Sequence, residues 1–446
     1  MTYEEAMQFW FGRVNYEQKS PQVGDFKLGR MRQLLQLLGN PHERLRIVHI
    51  AGSKGKGSTS AMLASILQHA GYRVGLFTSP HLVAVEERIQ VDRQPIGQDE
   101  LATLLGEIRD VTPPKFMQEL TFFEIGTALG FVHFVRRCVD LAIVEVGLGG
   151  RFDSTNVCAP LFSIITSISF DHTQLLGDTL AKIAYEKAGI IKPGRPAISG
   201  VRNLEARQVI EKVCRERGSA LRQIGVDFSF AHEPALIDAG RERWPSVKVT
   251  TRKGVTPALA LGLIGEHQAC NAAVAVAAVE ELTEQGVPVR ASAVAAGLVG
   301  VVWPARLEIM SRQPLVLLDC AHNVASARAL VLALDQSFPL PAQAHARRIL
   351  IFGGNRDKDL AGMLELLAPW FERIFLTSFH GNARCLPPDQ LAALLPADKQ
   401  AASIQCWESS EAWQRARAEA RPSDLICITG SVFLAGELRP MIMACS

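Results

Sequence analysis

Arg46 to Thr59 reads Arg-Ile-Val-His-Ile-Ala-Gly-Ser-Lys-Gly-Lys-Gly-Ser-Thr, an apolar run that breaks into glycines and a lysine. Ile47, Val48 and Ile50 have the β-branched character of a buried strand. From Ser58 through Ala61, Leu63, Ile66, Leu67 and Ala70 the apolar spacing becomes helical. Between them lies a turn suited to an anion. Gly52, Gly55 and Gly57 let backbone N–H groups approach a phosphate, Lys56 adds a point charge, and the Ser58 hydroxyl at a helix N-terminus can ligate magnesium, with Thr59 beside it. The interval before Gly-Lys is shorter than in the usual Walker A loop, and a glycine separates lysine from serine. Strand, glycines, Lys-Gly-Ser and helix together predict a nucleotide phosphate site; the bland alternative is a tight turn with a solvated lysine.

A chain of 446 residues holds two or three domains. With 47 basic and 45 acidic side chains and nearly half its residues apolar, it reads as a packed enzyme with no nucleic-acid partner. Nine scattered cysteines without a C-x-x-C pair fit a reducing cytoplasm better than a disulfide scaffold or structural zinc. The acidic opening Met-Thr-Tyr-Glu-Glu-Ala is not expected to act as a signal peptide, and apolar stretches such as 269–279 are too short to span a membrane.

The patterning is that of an α/β chain. Helices at Tyr3–Phe11 and 28–38, around a loop with Pro21 and Gly24, are expected to form a flap. There follow strand 46–51, helix 58–70, strand 74–78, helices 98–109 and 119–136, strands 141–146 and 162–168, helix 179–188, strand 197–199 and helix 204–217. Residues 220–258 are poorly patterned, and helix 267–284 follows. A second alternation begins after Trp303-Pro304, with strands at 315–319, 348–352, 373–377 and 425–429 and helices at 324–337, 359–370, 409–420 and 431–438. The expected architecture is a P-loop ATP-binding domain with a mostly parallel sheet, 1–299, and a smaller doubly wound (Rossmann-like) α/β domain, 300–446. The run 341–346 reads as a surface loop.

Four further clusters accompany the phosphate loop, and most of them fall beyond strand ends, where open α/β sheets bind ligands. Glu145 ends one strand and enters the glycine-rich stretch Gly147 to Asn156, which includes Arg151 and Asp153; its carboxylate can reach a metal at Ser58 or be a plain strand-end acid. Asp171-His172 ends the next strand, with His172 either a second ligand or a solvated side chain. The segment 265–271 with His267, Gln268 and Asn271 opens an apolar helix and can be ordinary polar capping. Asp319-Cys320-Ala321-His322-Asn323 and Gly353 to Asp359 end strands of the second domain, alongside Arg306. Lys187 alone reads as a surface charge.

Taken in order, these motifs resemble those of the folylpolyglutamate synthase and dihydrofolate synthase family, within the ATP-dependent Mur ligase superfamily. The matching stretches include Phe26 to Arg30, His49 to Gly52, Gly55 to Ser58, Thr78 to Leu82, Glu87 to Ile89, Leu120 to Glu124, Glu145 to Asn156, Asp171-His172, Glu186 to Lys192, His267-Gln268, Asn271, Asp319 to Asn323, Asp357 to Asp359 and Gly430-Ser431. The resemblance implies an ATP-dependent ligase that activates a pterin-linked carboxylate as an acyl phosphate, which the glutamate amine attacks. It implies that Gly52, Gly55, Lys56, Gly57, Ser58 and Thr59 hold the ATP phosphates. Ser58 and Glu145 would hold one magnesium ion and His172 a second, with a monovalent cation and a carbamate on Lys187 as further cofactors. Asn271 would contact adenine and Arg306 the phosphates, while Asp319 and His322 face the reacting phosphate and glutamate. Ser79, His81, Phe122, Arg151, Asp153 and Ser431 match positions that shape the substrate sites. Small-molecule substrates, a monomer and a cytoplasmic location are expected.

The chain departs from the family pattern at three places. Ser53-Lys54 replaces Thr-Asn in the phosphate loop, Ala305 stands where glycine is usual, and Cys320 to Val324 lacks the usual glycine and proline. The competing readings are another Mur-type ligase acting on a nucleotide-linked peptide, a P-loop kinase or ATPase, and an inactive nucleotide-binding module.

Overall fold

The computed structural model describes residues 1–16, 28–238, 241–340 and 346–444. The expected loop at Pro21 and Gly24, the pair Phe26-Lys27 and most of the run 341–346 lie outside them. Contacts divide the chain into two units. The first comprises Met1–Ala231, Val247–Leu259 and Ala269–Val301; the second comprises His232–Ser246, Ala260–Gln268 and Val302–Ser446. The second unit thus draws in two short segments from before residue 300, because Ala235, Ile237 and Ile264 are buried in a core with Leu317, Leu330 and Phe352.

The first unit is built on an eight-stranded sheet. Its strands are β1 (Ile47–Ala51), β2 (Val74–Phe77), β3 (Ile89–Val91), β4 (Gln94–Pro95), β5 (Leu141–Glu145), β6 (Phe162–Ile165), β7 (Ala197–Ser199) and β8 (Leu221–Gln223), in the order β4-β3-β2-β5-β1-β6-β7-β8. From β2 across to β8 every pairing is parallel, and at the other edge β3 pairs antiparallel with both β2 and β4. Every residue of β1 and β5 is buried, as the β-branched runs require of strands covered on both faces. The phosphate-loop helix, Lys56–His69, is buried from Ser58 to Leu67, so it carries no polar stripe.

Three local readings change. The opening helices Tyr3–Phe11 and Leu28–Leu37 are core elements rather than a flap: Trp10, Met31, Leu34 and Leu35 are fully buried with Phe122 and Phe134. The helix expected over 119–136 is two, Pro114–Glu119 and Phe122–Arg136. Thr121 caps the second, accepting from Glu124 N while Glu124 Oε2 accepts from Thr121 N at 2.9 Å, a reciprocal arrangement that ends the preceding helix. Strand β6 stops at Ile165, since Thr166 and Ser167 turn their hydrogen bonds toward the phosphate loop.

The poorly patterned region holds short strands, β9 (Ser229–Glu233), β10 (Leu236–Asp238), β11 (Arg241–Arg243), β12 (Ser246–Thr251), β13 (Gly254–Val255) and β14 (Leu259–Ala260). The second unit's main sheet comprises β15 (Glu308–Arg312), β16 (Leu315–Leu318), β17 (Arg348–Phe352), β18 (Arg373–Thr377), β19 (Ser403–Cys406) and β20 (Leu425–Thr429), in the order β15-β16-β20-β17-β18-β19. Only β15 runs antiparallel to its neighbour. Among the described residues no helix is long and apolar enough to cross a membrane.

Candidate functional site

In the first unit four polar segments gather at the carboxyl ends of β1, β2, β5 and β6. β1 delivers the chain to Gly52, and the loop to Gly55 is held by groups following β6. Ser53 N donates to Ser167 O at 2.8 Å, Lys54 N to Ser167 Oγ at 2.9 Å, and Thr166 Oγ1 to Lys54 O at 2.6 Å. Gly55 has φ 83°, a left-handed geometry at the helix N-terminus, and a Cβ there would sit 2.3 Å from Asn271 Oδ1. Asn271, near the start of helix Glu266–Glu284, is thereby brought against the loop. Ser58 and Thr59 are buried in the first turn behind Lys56 and Gly57.

Lys54 is not simply extra charge near the loop. Its Nζ donates to Asp171 Oδ2 at 2.9 Å, and the Asp171 carboxylate also lies 3.7 Å from His172 Nε2. His172 has φ 51° and a side chain 39% exposed, at the mouth of the cluster. Glu145 is buried, with Oε1 3.8 Å from Lys56 Nζ and Oε2 accepting from Ser79 N at 3.4 Å. Ser58, Glu145 and His172 thus offer a hydroxyl, a carboxylate and an imidazole. Among the described residues no three His, Cys, Asp or Glu side chains converge as a metal cluster.

Lys187 ends helix Leu180–Lys187 and is buried. Burial, and then the positive charge of Lys56, bring its amine down from 10.5 to about 7. A surface lysine at this point in the pattern would stay charged; this one is about half neutral at pH 7. The glycine-rich loop passes directly over it: Arg151 N donates to Glu186 O at 2.8 Å, and a Cβ on Gly150 would lie 3.0 Å from Lys187 Cα. Within that loop Asp153 accepts from Leu148 N at 2.8 Å and Thr155 N at 3.0 Å, and burial raises its carboxyl pKa. The Arg151 guanidinium lies over the Tyr185 ring at 3.9 Å and 3.7 Å from Glu186 Oε1.

On the β2 side Arg88 Nε donates to His81 Nδ1 at 2.8 Å, and the Arg88 guanidinium lies 5.1 Å from the centre of the Phe122 ring. Phe122 is buried and stacks on Trp10 with ring centres 4.7 Å apart, so it acts on this region through Arg88. A cleft of about 650 Å³ opens on the outer side of helix Leu180–Lys187, lined by Leu176, Tyr185, Glu186, Val209 and Val213; no phosphate-loop residue borders it.

The second unit has its own polar edge. Asp319, after β16, accepts from Ala321 N at 2.8 Å and Leu307 N at 3.0 Å. Burial raises its pKa, and the charge of Arg306 opposes that shift. Arg306 also contacts Cys320 Sγ. His322 Nδ1 bonds Cys320 O at 2.9 Å, so the ring nitrogen that faces the carbonyl is the protonated one. Ala305 and Leu307 adopt φ of 54° and 49°. Ser431 is buried after β20, and its Oγ accepts from Phe433 N at 3.1 Å.

Sequence reasoning marked most of these groups but missed the partners. Asp171 was legible only as a neighbour of His172, and Lys192, which donates to Asn156 O at 2.7 Å, gave no signal as a lone lysine. His49 did: it is the one polar residue in β1.

Residues 50–279 match the Mur ligase middle domain and residues 305–432 the Mur ligase glutamate ligase domain. The dihydrofolate synthase/folylpolyglutamate synthase of Bacillus subtilis is 34% identical over 98% of both chains, and the folylpolyglutamate synthase of Lacticaseibacillus casei is 33% identical over 99% of both. The solved Mycobacterium tuberculosis folylpolyglutamate synthase with ADP superposes with a TM-score of 0.88 at 30% identity, covering 99% of this chain and 98% of that one. Escherichia coli FolC, solved with DHPP and ADP, gives 0.85 at 29% identity over 100% and 98% of the two chains. With a half-buried phosphate loop, a lysine held near neutrality beside it and both Mur domains in order, the chain belongs to the folylpolyglutamate synthase/dihydrofolate synthase family of ATP-dependent ligases.

Proposed function

We propose that this chain adds L-glutamate to dihydropteroate, to reduced folates, or to both. ATP would transfer its terminal phosphoryl group to the acceptor carboxylate, giving ADP and an acyl phosphate; the glutamate amine then attacks the acyl carbon and inorganic phosphate leaves. A carboxylate is a poor electrophile, and bringing it to a triphosphate demands concentrated positive charge. Lys56 and the amides of Gly52, Gly55, Gly57, Ser58 and Thr59 are assigned to the phosphates, with Asn271 near the adenine. Ser58 and Glu145 are hard oxygen donors, and the Glu145 carboxylate is buried 3.8 Å from Lys56 Nζ, beside the phosphate loop, so this donor set fits magnesium. His172 is assigned to a second ion; bound magnesium would neutralise charge on the transferred phosphoryl group. Arg306, Asp319, His322 and Ser431 are assigned to the phosphate and glutamate side, and Ser79, His81, Phe122, Arg151 and Asp153 to the acceptor side.

The observation that carries this reading is Lys187. Only an uncharged amine adds carbon dioxide to form a carbamate, and this amine is held near pKa 7 by burial. The cations that oppose a third positive charge there, Lys56 and Lys54, favour an anion in its place. A cytoplasmic monomer using a monovalent cation completes the proposal.

The test is to supply purified protein with ATP, magnesium and glutamate, and either dihydropteroate or a reduced folate, and to weigh the products. One glutamate residue gained per ADP formed is expected. ADP formation indifferent to acceptor, with no added mass, would overturn the proposal.

A further inference from the structure

His49 sits in the middle of β1, fully buried, with Nε2 2.8 Å from Thr155 Oγ1. The Thr155 hydroxyl has one proton and donates it to Asp153 Oδ1. Thr155 therefore accepts from His49, which fixes the Nε2–H tautomer and leaves Nδ1 an unprotonated acceptor with no partner. Burial, followed by the charge of Lys192, takes the imidazole down to about 3, so it is a neutral donor at any working pH.

The far end of this chain is the glycine-rich loop. The Asp153 carboxylate gathers the backbone N–H groups of Leu148 and Thr155, closing the loop on itself. Asn156, next in sequence, is held by Lys192 Nζ through both its backbone and side-chain oxygens, at 2.7 and 2.8 Å. Strand β1 ends two residues past His49, at Ala51, and Gly52 opens the phosphate loop.

We propose that His49 is a positioning residue for the acceptor side of the reaction, joining the phosphate-loop strand to the 147–156 loop through Thr155 and Asp153. It touches no reacting group. Its donated proton dictates where the Thr155 proton goes, and that in turn holds Asp153 as the acceptor that shapes the loop. The assignment of the loop to the acceptor rests on the function proposed above, whereas the coupling itself does not.

The experiment compares His49→Phe, which keeps a planar ring but cannot donate, with His49→Gln, whose amide can donate from a similar position; Thr155→Val and Thr155→Ser form the matching pair. KM for the acceptor should rise about tenfold or more in His49→Phe and Thr155→Val, the effect of orphaning one buried hydrogen bond, while KM for ATP stays within about twofold. The Gln and Ser variants should recover most of the loss, and the His49→Phe/Thr155→Val double variant should be no worse than either single one. Hydrogen exchange of the 147–156 peptide, which needs no activity, should quicken in His49→Phe and not in His49→Gln. If His49→Phe does not fold, the Thr155 pair and the same exchange measurement carry the test. Unchanged exchange in the loop overturns the coupling. Quickened exchange with equal losses for acceptor and ATP keeps the coupling and overturns the acceptor assignment.

Discussion

Each unit carries a loop with left-handed backbone, and the two loops reach that geometry by opposite means. In the phosphate loop Gly55 adopts φ 83° without strain, and its neighbours Ser53 and Lys54 are tied to the end of β6. Around Arg306 the left-handed residues are Ala305 and Leu307, where a Cβ costs about 1 kcal/mol or more each. That cost is offset by partners: Ala305 N donates to Glu308 Oε2 at 2.9 Å, Leu307 N donates to Asp319, and Glu308 is itself clamped by Arg439 at 2.8 Å. The first loop is shaped by residue type, the second by its surroundings. Their charges differ in the same way. Lys187 is buried beside like charges and moves toward neutrality, while Asp319 is buried beside Arg306, whose charge opposes the shift.

The largest expected effect comes from Lys187→Met. Activity should fall at least about 100-fold in the glutamate-addition assay, on the order of removing a key electrostatic group. Stability should move the other way. Lys187 has a folded pKa below its unfolded one, so its cost is full below pH 7 and fades as pH rises toward 10.5. The variant should therefore melt higher than the parent at pH 6, by a few kcal/mol, and the gap should close by pH 10. A gap independent of pH would mean the amine is charged in the folded protein.

Gly55→Ala comes next. It places a Cβ at φ 83° and 2.3 Å from Asn271 Oδ1, and should cost about 2 kcal/mol in urea unfolding and raise KM for ATP. In the second loop, Glu308→Ala removes the acceptor of Ala305 N and leaves Arg439 without this carboxylate. We expect a loss of about 1 kcal/mol, and a weaker effect from glutamate to glutamine, which keeps an acceptor. The smallest effect should be Ala305→Gly, a gain of a few tenths to about 1 kcal/mol, as relief of strain outweighs added chain entropy. A destabilised Ala305→Gly would erase the contrast between the loops.

Much of this was legible because α/β strands advertise themselves. Runs such as Leu141–Glu145 and Arg348–Phe352 are apolar but for a charged residue at one end, and the residues at and just beyond their carboxyl ends were singled out as polar strand ends. The β3–β4 hairpin, β15 and β19 were not read, being short edge strands with one face open and little periodicity to find. Partnerships were the deeper loss. Lys54 is a departure without a reason in the sequence, since Asp171, its partner, is 117 residues away. Lys187 looks like any lysine near a helix end until its helix is packed beneath the glycine-rich loop. The cap at Thr121, by contrast, follows the Thr-x-x-Glu pattern and was open to a closer reading.

The crossing of that loop over its neighbouring helix has a mechanical meaning. A Cβ on Gly150 would meet Glu186 O at 2.9 Å, and one on Gly189 would meet Arg151 Cβ at 2.5 Å, so two backbones run past each other with no side chain between them. There is no slack at that crossing. A displacement of the loop backbone at this crossing would have to displace the peptide that carries Lys187 as well. Loop and lysine travel as one part, like a handle forged in one piece with its blade.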